Sequence, residues 1–382
     1  VSNVSMSVIP ADIALGRLLD DIRRLVVIES PSSDLAAVER SARAVGALIA
    51  ERLGAEAETL VVDGVTHLRV RFGDGPSRVL ILTHHDTVWP IGTLERIPFE
   101  VEGDILTGPG SFDMKAGLVS GIHAIAAVLE RTPALDGVTL LVTGDEELGS
   151  PTSRELIEAE AAGCAGVLVL EAAADGGALK IARKGVSTYR VVITGRASHA
   201  GLEPELGVNA VVELAHQIVR IAALGAAEHG TTVTPTVVDG GTAQNTVPAT
   251  ASVRVDVRAA TRTEQDRVDS AIRGLSPVLE RASITVEGGP NRPPMEPEAS
   301  AALFERTRRV AAEIGIEHLA GVSVGGGSDG NFTAGIGVPT LDGLGAVGAG
   351  AHADHEHVRV HHLPERTALV AALIEDLAGA AR

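Results

Sequence analysis

Side chains able to bind metal stand in a fixed order along this chain, most of them closing a short apolar run. They are Thr83-His84-His85-Asp86-Thr87-Val88, then Gly108-Pro109-Gly110-Ser111-Phe112-Asp113-Met114-Lys115, then Asp145-Glu146-Glu147, Glu171 and His352. Two histidines and three carboxylates can hold a pair of zinc ions with one carboxylate shared, and a further carboxylate is left over to act as a base. The chemistry such a set supports is hydrolysis.

Each motif also has a plainer reading. In an extended segment residues two apart share a face, so His84 and Asp86 can meet one site while His85 points elsewhere, but the same pair could simply cap a loop. A carboxylate bonded to the far nitrogen of a ligating histidine sets its tautomer, a role open to Asp86. Asp113 sits in a glycine- and proline-rich loop, where it could bridge two cations or N-cap a helix starting at Ala116. Three acids in a row at 145–147 repel one another unless cations or donors compensate; the alternative is an acidic solvated loop. Glu171 ends the run Val167-Leu168-Val169-Leu170. His352 opens a histidine-rich tract with His355, His357, His361 and His362, which could sequester metal by composition alone. Five such motifs in one order, three of them ending strand-like runs, argue against coincidence.

The elements that must position them follow from periodicity. Ala11 to Leu53 reads as two helices broken at Ser30-Pro31-Ser32-Ser33. Leu68 to Arg71, Val79 to Thr83 and Val138 to Thr143 read as strands, the last two apolar enough to be interior. Helices are expected over Ala116 to Leu129, Ser153 to Ala162 and Arg366 to Leu377, giving an α/β chain with a mixed or parallel central sheet. Polar groups at the carboxyl ends of such strands lie where open α/β sheets bind ligands. Between Gly185 and Gly289 the order becomes strand (Thr188 to Thr194), helix (Val208 to Ala223), strand (Thr231 to Val238), strand (Ala251 to Val257), helix (Glu264 to Leu279), strand (Ser283 to Val286). That is a ferredoxin-like α+β unit inserted into the α/β chain. We therefore expect a discontinuous catalytic domain over residues 1–184 and 297–382 and an inserted domain over 185–296.

At 382 residues the chain is long for one core, and two domains fit its length. Hydrophobic residues at 45% and charged residues at 21% are those of a soluble globular protein, and a net charge of −18 would repel nucleic-acid phosphates. The single cysteine, Cys164, lies in an apolar run as a buried thiol and leaves no disulfide framework, so a cytoplasmic protein is expected. Val1 to Pro10 lacks the pattern of a signal peptide, although a removed export signal would leave no trace, and no apolar run approaches the ~20 residues of a membrane span.

The quoted motifs resemble those of the di-zinc amidohydrolase and exopeptidase family that includes glutamate carboxypeptidases of the carboxypeptidase G type, acetylornithine deacetylase, succinyl-diaminopimelate desuccinylase and aminoacylases. The likeness runs from about Leu60 to the C-terminus. It is nearest to the glutamate carboxypeptidase branch through Gly195-Arg196-Ala197-Ser198-His199-Ala200-Gly201, Pro204-Glu205-Leu206-Gly207-Val208-Asn209-Ala210 and Gly325-Gly326-Gly327-Ser328-Asp329. The resemblance implies that His84 and Glu171 bind one Zn2+, Glu147 and His352 a second, and Asp113 bridges them, with Co2+ or Mn2+ as substitutes. It further implies that Asp86 orients His84, that Glu146 is the general base, and that a cis peptide follows Asp113. His199 would supply an oxyanion donor, in some members from the partner subunit, and the inserted domain would serve as lid and homodimer contact. Arg258 and Asn245 would hold a substrate carboxylate. The glycines ending at Gly327, with Ser328, could add backbone N–H donors, and Arg292 and Lys184 are further candidates.

The expected reaction is release of a C-terminal amino acid, glutamate among the candidates, from a small N-acyl or peptide substrate, with neither nucleic acid nor membrane as partner. The segment Ala172 to Lys180 departs from the Glu-Pro pattern of the glutamate-specific enzymes, which counts against glutamate. The rival is a deacylase of N-acetyl or N-succinyl amino acids. A non-catalytic metal- or ligand-binding homologue is a third reading, against which Glu146 speaks, since holding metal does not require it.

Overall fold

The computed structural model describes residues 14–379; Val1 to Pro10 and the expected helix start at Ala11 lie outside the described residues. Two compact units emerge: one runs to Ala182 and resumes over Pro297–Val324 and from Ser328 on, and the other comprises Arg183–Glu296 with Gly325–Gly327. The first begins with α1 (Leu15–Val26), α2 (Leu35–Leu53), β1 (Glu58–Val62), β2 (Val65–Phe72), β3 (Val79–His84), β4 (Glu100–Glu102) and β5 (Ile105–Thr107). Next come α3 (Ala116–Arg131), β6 (Val138–Thr143), α4 (Arg154–Ala161), β7 (Gly166–Val169) and β8 (Leu179–Arg183). The second unit supplies β9 (Gly185–Thr194), α5 (Ala210–Ala222), β10 (Thr232–Gly240), β11 (Thr250–Ala259), α6 (Arg262–Arg273) and β12 (Ser283–Arg292). The chain then returns through α7 (Pro297–Glu313), β13 (Gly321–Val324), α8 (Gly330–Gly335), β14 (Thr340–Leu341), β15 (Gly348–Ala349), β16 (His357–Arg359) and α9 (Leu363–Ala378).

The main sheet of the first unit has the order β1-β2-β6-β3-β7-β14. Its centre is parallel, β3 lying between β6 and β7, while β2 joins β6 antiparallel. Every residue of β3 and β6 is buried, as strands covered on both faces must be. Helices α3 and α9 pack together, and α3 also meets α1 and α2. The stretch Ser111–Arg131 has the length and mean hydropathy of a membrane span, but 72% of its most apolar part is buried inside this unit, as in a core helix. Cys164 is buried, as its setting predicts.

In the second unit the antiparallel order β10-β11-β9-β12 carries α5 and α6, the strand arrangement of a ferredoxin-like fold. Alternate residues Tyr189, Val191 and Ile193 of β9 and Val253, Val255 and Val257 of β11 point inward onto Leu214, Ile221, Val268 and Ile272. Two boundaries differ most from the periodicity. Helix α6 stops at Arg273 rather than Leu279, because the N–H groups of Val278 and Leu279 donate to the buried Glu213 carboxylate of α5 instead of continuing the helix. Strand β12 runs on to Arg292, pairing with β9 across an irregularity near Pro290.

Candidate metal centre

Parallel pairing decides which side chains meet. His84 lies opposite Thr143, and Leu82 opposite Val169, so β3, β6 and β7 end at one sheet edge. His84, the turn at 145–147 and Glu171 therefore leave from neighbouring strand ends. Packing behind Glu171 is tight: a Cβ on Gly117 or Gly345 would lie 2.0 or 2.1 Å from the Leu170 carbonyl oxygen. Only glycine lets α3 and the loop after β14 come so close. Gly345 N–H donates to the Glu171 carbonyl at 2.9 Å, and the buried Arg366 guanidinium donates to the Gly345 carbonyl at 3.1 Å and to that of Gly343.

Five of the expected ligands converge. His84 Nε2 is 3.3 Å from Asp113 Oδ1 and 3.4 Å from Glu171 Oε1; His352 Nε2 is 3.3 Å from Asp113 Oδ2 and 3.1 Å from Glu147 Oε2. Asp113 turns one oxygen to each histidine. Zinc bonds of about 2.0–2.1 Å at tetrahedral angles put neighbouring donors about 3.3–3.4 Å apart, so these separations suit ligands around a cation. His84 Nε2 and Glu147 Oε1 are buried without a hydrogen-bond partner, which folded proteins rarely tolerate unless another group satisfies them. Glu146 lies within the same cluster, grouped with His84 and Glu171. The donor set fits divalent metal.

The electrostatics agree. Burial opposes charge on His84, but Asp113, Asp86 and Glu171 outweigh it and raise its pKa well above the usual imidazole range. Asp113 and Glu147 push His352 up to about 10. Burial raises Glu147 to about 7, whereas at Asp113 burial is outweighed by the two histidines, which hold its carboxyl well below the usual range. Imidazole protons thus neutralise a cluster of acids, the place a cation would take.

Supporting contacts place these groups. Asp86 accepts from Ser32 Oγ at 2.6 Å and from the N–H groups of Glu146 and Glu147, each at 3.2 Å. Its backbone oxygen lies 3.0 Å and its Oδ1 3.4 Å from His84 Nδ1, so Nδ1 carries the hydrogen and Nε2 faces Asp113 and Glu171. His85 turns away, its Nε2 3.0 Å from the Thr66 carbonyl, and burial lowers its pKa to about 4. The repulsion expected at 145–147 is relieved because Asp145 accepts from Thr152 N–H and Oγ, each at 2.7 Å, and from Ser153 Oγ at 2.6 Å. Helix α3 is capped at Lys115 without a side-chain bond, so Asp113 is not its N-cap, and the Asp113-Met114 peptide is cis.

Three supporting residues escape sequence reading. Ser32 showed only as a helix break, yet Ser32 N–H donates to Thr87 O at 3.1 Å and brings its hydroxyl to Asp86. His67 accepts Gly144 N–H at 3.1 Å and meets Thr152 Oγ at 3.0 Å, bracing the loop of Glu146 and Glu147. Glu356, inside the histidine tract, offered no signal apart from being an acid among histidines.

The remaining candidates stand elsewhere. In the second unit His199 Nδ1 accepts from Gly201 and Leu202 N–H, each at 3.1 Å, which leaves the imidazole hydrogen on Nε2. Ala200 N–H donates to the Asn245 carbonyl at 2.9 Å, so His199 and Asn245 are neighbours. Arg258 forks onto Asp256 with two bonds of 2.9 Å. Arg292 is buried at the end of β12, its carbonyl accepting from Gln265 at 2.9 Å. The carbonyls of Gly326 and Gly327 face the Arg183 guanidinium at 3.0 and 3.4 Å. Ser328, in the first unit, differs from expectation: its N–H donates to Asn331 Oδ1 at 2.9 Å and its hydroxyl to Asp342 at 2.5 Å. The N–H is thus taken up at the start of α8, where the hydroxyl also accepts Gly330 N–H at 3.1 Å.

Residues 80–376 match the model of Peptidase family M20/M25/M40. The chain belongs to this family. It is 33% identical over 315 residues to carboxypeptidase G2 of Pseudomonas sp. (strain RS-16), covering 80% of this chain and 75% of that one. It is 28% identical over 339 residues to a succinyl-diaminopimelate desuccinylase of Roseobacter denitrificans, covering 82% and 87%. Aminopeptidase PepT of Bacillus cereus shares the fold, with a TM-score of 0.72 over 95% of this chain and 99% of that one at 22% identity. As an M20/M25/M40 member the chain is a hydrolase of the metallopeptidase type, with an α/β catalytic fold whose mixed sheet carries a candidate metal site.

Proposed function

We propose that this M20/M25/M40 member holds two Zn2+ ions and releases a C-terminal amino acid from an N-acyl or peptide substrate. The observation that carries the reading is Asp113, with one oxygen toward each histidine, beside Glu146, which lies in the same cluster as His84 and Glu171. His84 and Glu171 are proposed for one ion, Glu147 and His352 for the other. Bound there, the ions supply Lewis acidity toward the scissile carbonyl and lower the pKa of the attacking water. Glu146 takes the proton of that water and returns it to the departing nitrogen, a role typically worth about 100- to 10,000-fold. His199 donates from Nε2–H to the developing oxyanion, a role its turn-held tautomer supports. Arg258, exchanging Asp256 for substrate, and Asn245 hold the free carboxylate, with Arg292 and Gly327 as secondary candidates. The second unit is proposed as homodimer contact, supported by the exposed Val211, Val212 and Val219 of α5 and Val237 and Val238 of the edge strand β10.

Relatedness to carboxypeptidase G2 supports amino-acid release, whereas the desuccinylase relative supports a second reading, removal of a small acyl group. Both use the same residues. Metal analysis followed by turnover on N-aroyl-glutamate, dipeptides and N-acetyl or N-succinyl amino acids separates them. Preference for the last group alone would replace the first reading by the second, and absence of hydrolysis in the fully metallated protein would overturn both.

A further inference from the structure

A buried carboxylate stands beside the metal centre without belonging to its donor set. Glu356, immediately before β16, is wholly inaccessible to solvent. Its Oε1 accepts from the N–H groups of Phe112 at 2.8 Å and Asp113 at 3.1 Å. Its Oε2 accepts from Gly110 N–H at 3.0 Å and from the indole Nε1–H of Trp89 at 2.7 Å. Four donors replace the water a buried anion would otherwise lose.

Their origins give the arrangement its meaning. Three belong to the 110–113 loop, which ends in Asp113. Gly110 in that loop has φ +69°, and a Cβ there would lie 2.4 Å from Thr87 Cγ2, so the loop also seats against the segment following His84. Glu356 itself lies four residues beyond His352, in the connection between β15 and β16, whose pairing holds Gly348 opposite Val358 and Ala349 opposite His357. One carboxylate therefore fastens the loop of Asp113 to the hairpin of His352, the two side chains 3.3 Å apart at Asp113 Oδ2 and His352 Nε2.

We propose that Glu356 is a positioning residue of the metal centre: it holds Asp113 and His352 at the separation at which one ion joins them, with Trp89 as its fourth donor. This rests on the two-ion reading of the site. Glu356→Gln keeps the size of the side chain but exchanges one accepting oxygen for an NH2 group. Whichever way the amide turns, two N–H donors lose their acceptor and face another donor. Removing Trp89 Nε1–H by Trp89→Phe costs only one of the four bonds.

The test is titration of the metal-free full-length chain with Zn2+ alone, with folding followed by circular dichroism. Wild type should take up two ions; if it does not, the two-ion reading fails before Glu356 is at issue. Glu356→Gln should weaken binding about 10- to 100-fold and saturate below two ions at stoichiometric Zn2+, and Trp89→Phe should weaken it by about threefold. Glu213→Gln is the control for general destabilisation, because Glu213 is likewise buried and accepts backbone N–H groups, in the second unit. It should lower the melting temperature and leave Zn2+ uptake unchanged. A folded Glu356→Gln with wild-type affinity and two ions overturns the proposal, as does equal Zn2+ loss in Glu213→Gln. Should Glu356→Gln fail to fold, Trp89→Phe decides: weaker uptake supports the proposal, and wild-type uptake overturns it.

Discussion

Loading the centre with metal should expel protons, and the number expelled follows from the geometry. His84 Nε2 and His352 Nε2 each face two carboxylates at 3.1–3.4 Å, so without a cation the favourable occupant of each nitrogen is a proton. His352 is pushed up to about 10 and His84 is raised well above the ordinary value. At pH 8 a histidine of pKa about 6.5 carries only about 0.03 proton, whereas one of pKa about 10 carries about 0.99. Binding of two ions at pH 8 should therefore release about one proton from His352, and His84 adds to it, against less than ~0.1 for an unperturbed pair. Affinity at each position should rise about tenfold per pH unit while its histidine remains protonated. Zn2+ titration calorimetry in two buffers of different ionisation enthalpy counts the protons directly. Release of less than half a proton per ion pair would refute the reasoning, since the nitrogens would then be bare already.

The same raised pKa has a consequence for the metal-free fold. A histidine whose folded-state pKa lies above its unfolded value stabilises the fold fully below about pH 6.5, and that contribution fades as pH climbs toward the folded value. For His352 the window runs from about 6.5 to about 10, so the metal-free chain should melt at lower temperature at pH 9.5 than at pH 7. A melting temperature that rises over this interval would contradict the pairing of His352 with Asp113 and Glu147.

Three substitutions follow from particular contacts. Glu146→Gln should retain both ions while turnover falls about 100- to 10,000-fold; normal turnover would remove Glu146 from the mechanism. Asp86→Asn offers one accepting oxygen where Glu146 N–H, Glu147 N–H and Ser32 Oγ now share two, and Zn2+ affinity, read by chelator competition, should fall about 10- to 100-fold. Gly117→Ala would bring a methyl group to 2.0 Å from Leu170 O, so stability in urea should drop by about 1–3 kcal/mol or more, with wild-type stability showing that the backbone behind Glu171 yields freely.

What sequence could convey was the part governed by short-range pattern. The apolar runs before His84, Asp145 and Glu171 locate strand ends, and period two in Val253 to Arg258 gives the buried valine face of β11. Parallel adjacency of β3, β6 and β7 is non-local, and it is what turns three separate motifs into one centre. The supporting contacts were invisible for the same reason. Ser32 reaches Asp86 across 54 positions, and Glu356 reaches Gly110 across 246. Asp145 illustrates the opposite case: it reads as a ligand candidate, but its oxygens are engaged by Thr152 and Ser153, only seven and eight residues on. Ser328 misled because a glycine-rich approach suggests open donors, whereas its N–H is taken by Asn331 and its hydroxyl by Asp342.

The two proposed ion positions are not equally supported, and that asymmetry bears on how the protein exchanges metal. His84 and Glu171 stand at strand ends, their side chains 1% and 9% exposed, braced by Asp86 and by the glycine contacts at Leu170. His352 rides on the connection between β15 and β16, with 51% of its side chain exposed and φ of +63°, a backbone conformation costly for a residue with a Cβ. On the proposed assignment, the ion at Glu147 and His352 should leave first. Mixing the loaded protein with excess chromophoric chelator should give two release phases of about one ion each, the faster one lost from the start in His352→Ala. A single phase releasing both ions together, or a fast phase that survives in His352→Ala, would show that Asp113 couples the positions so tightly that the hairpin's exposure does not matter.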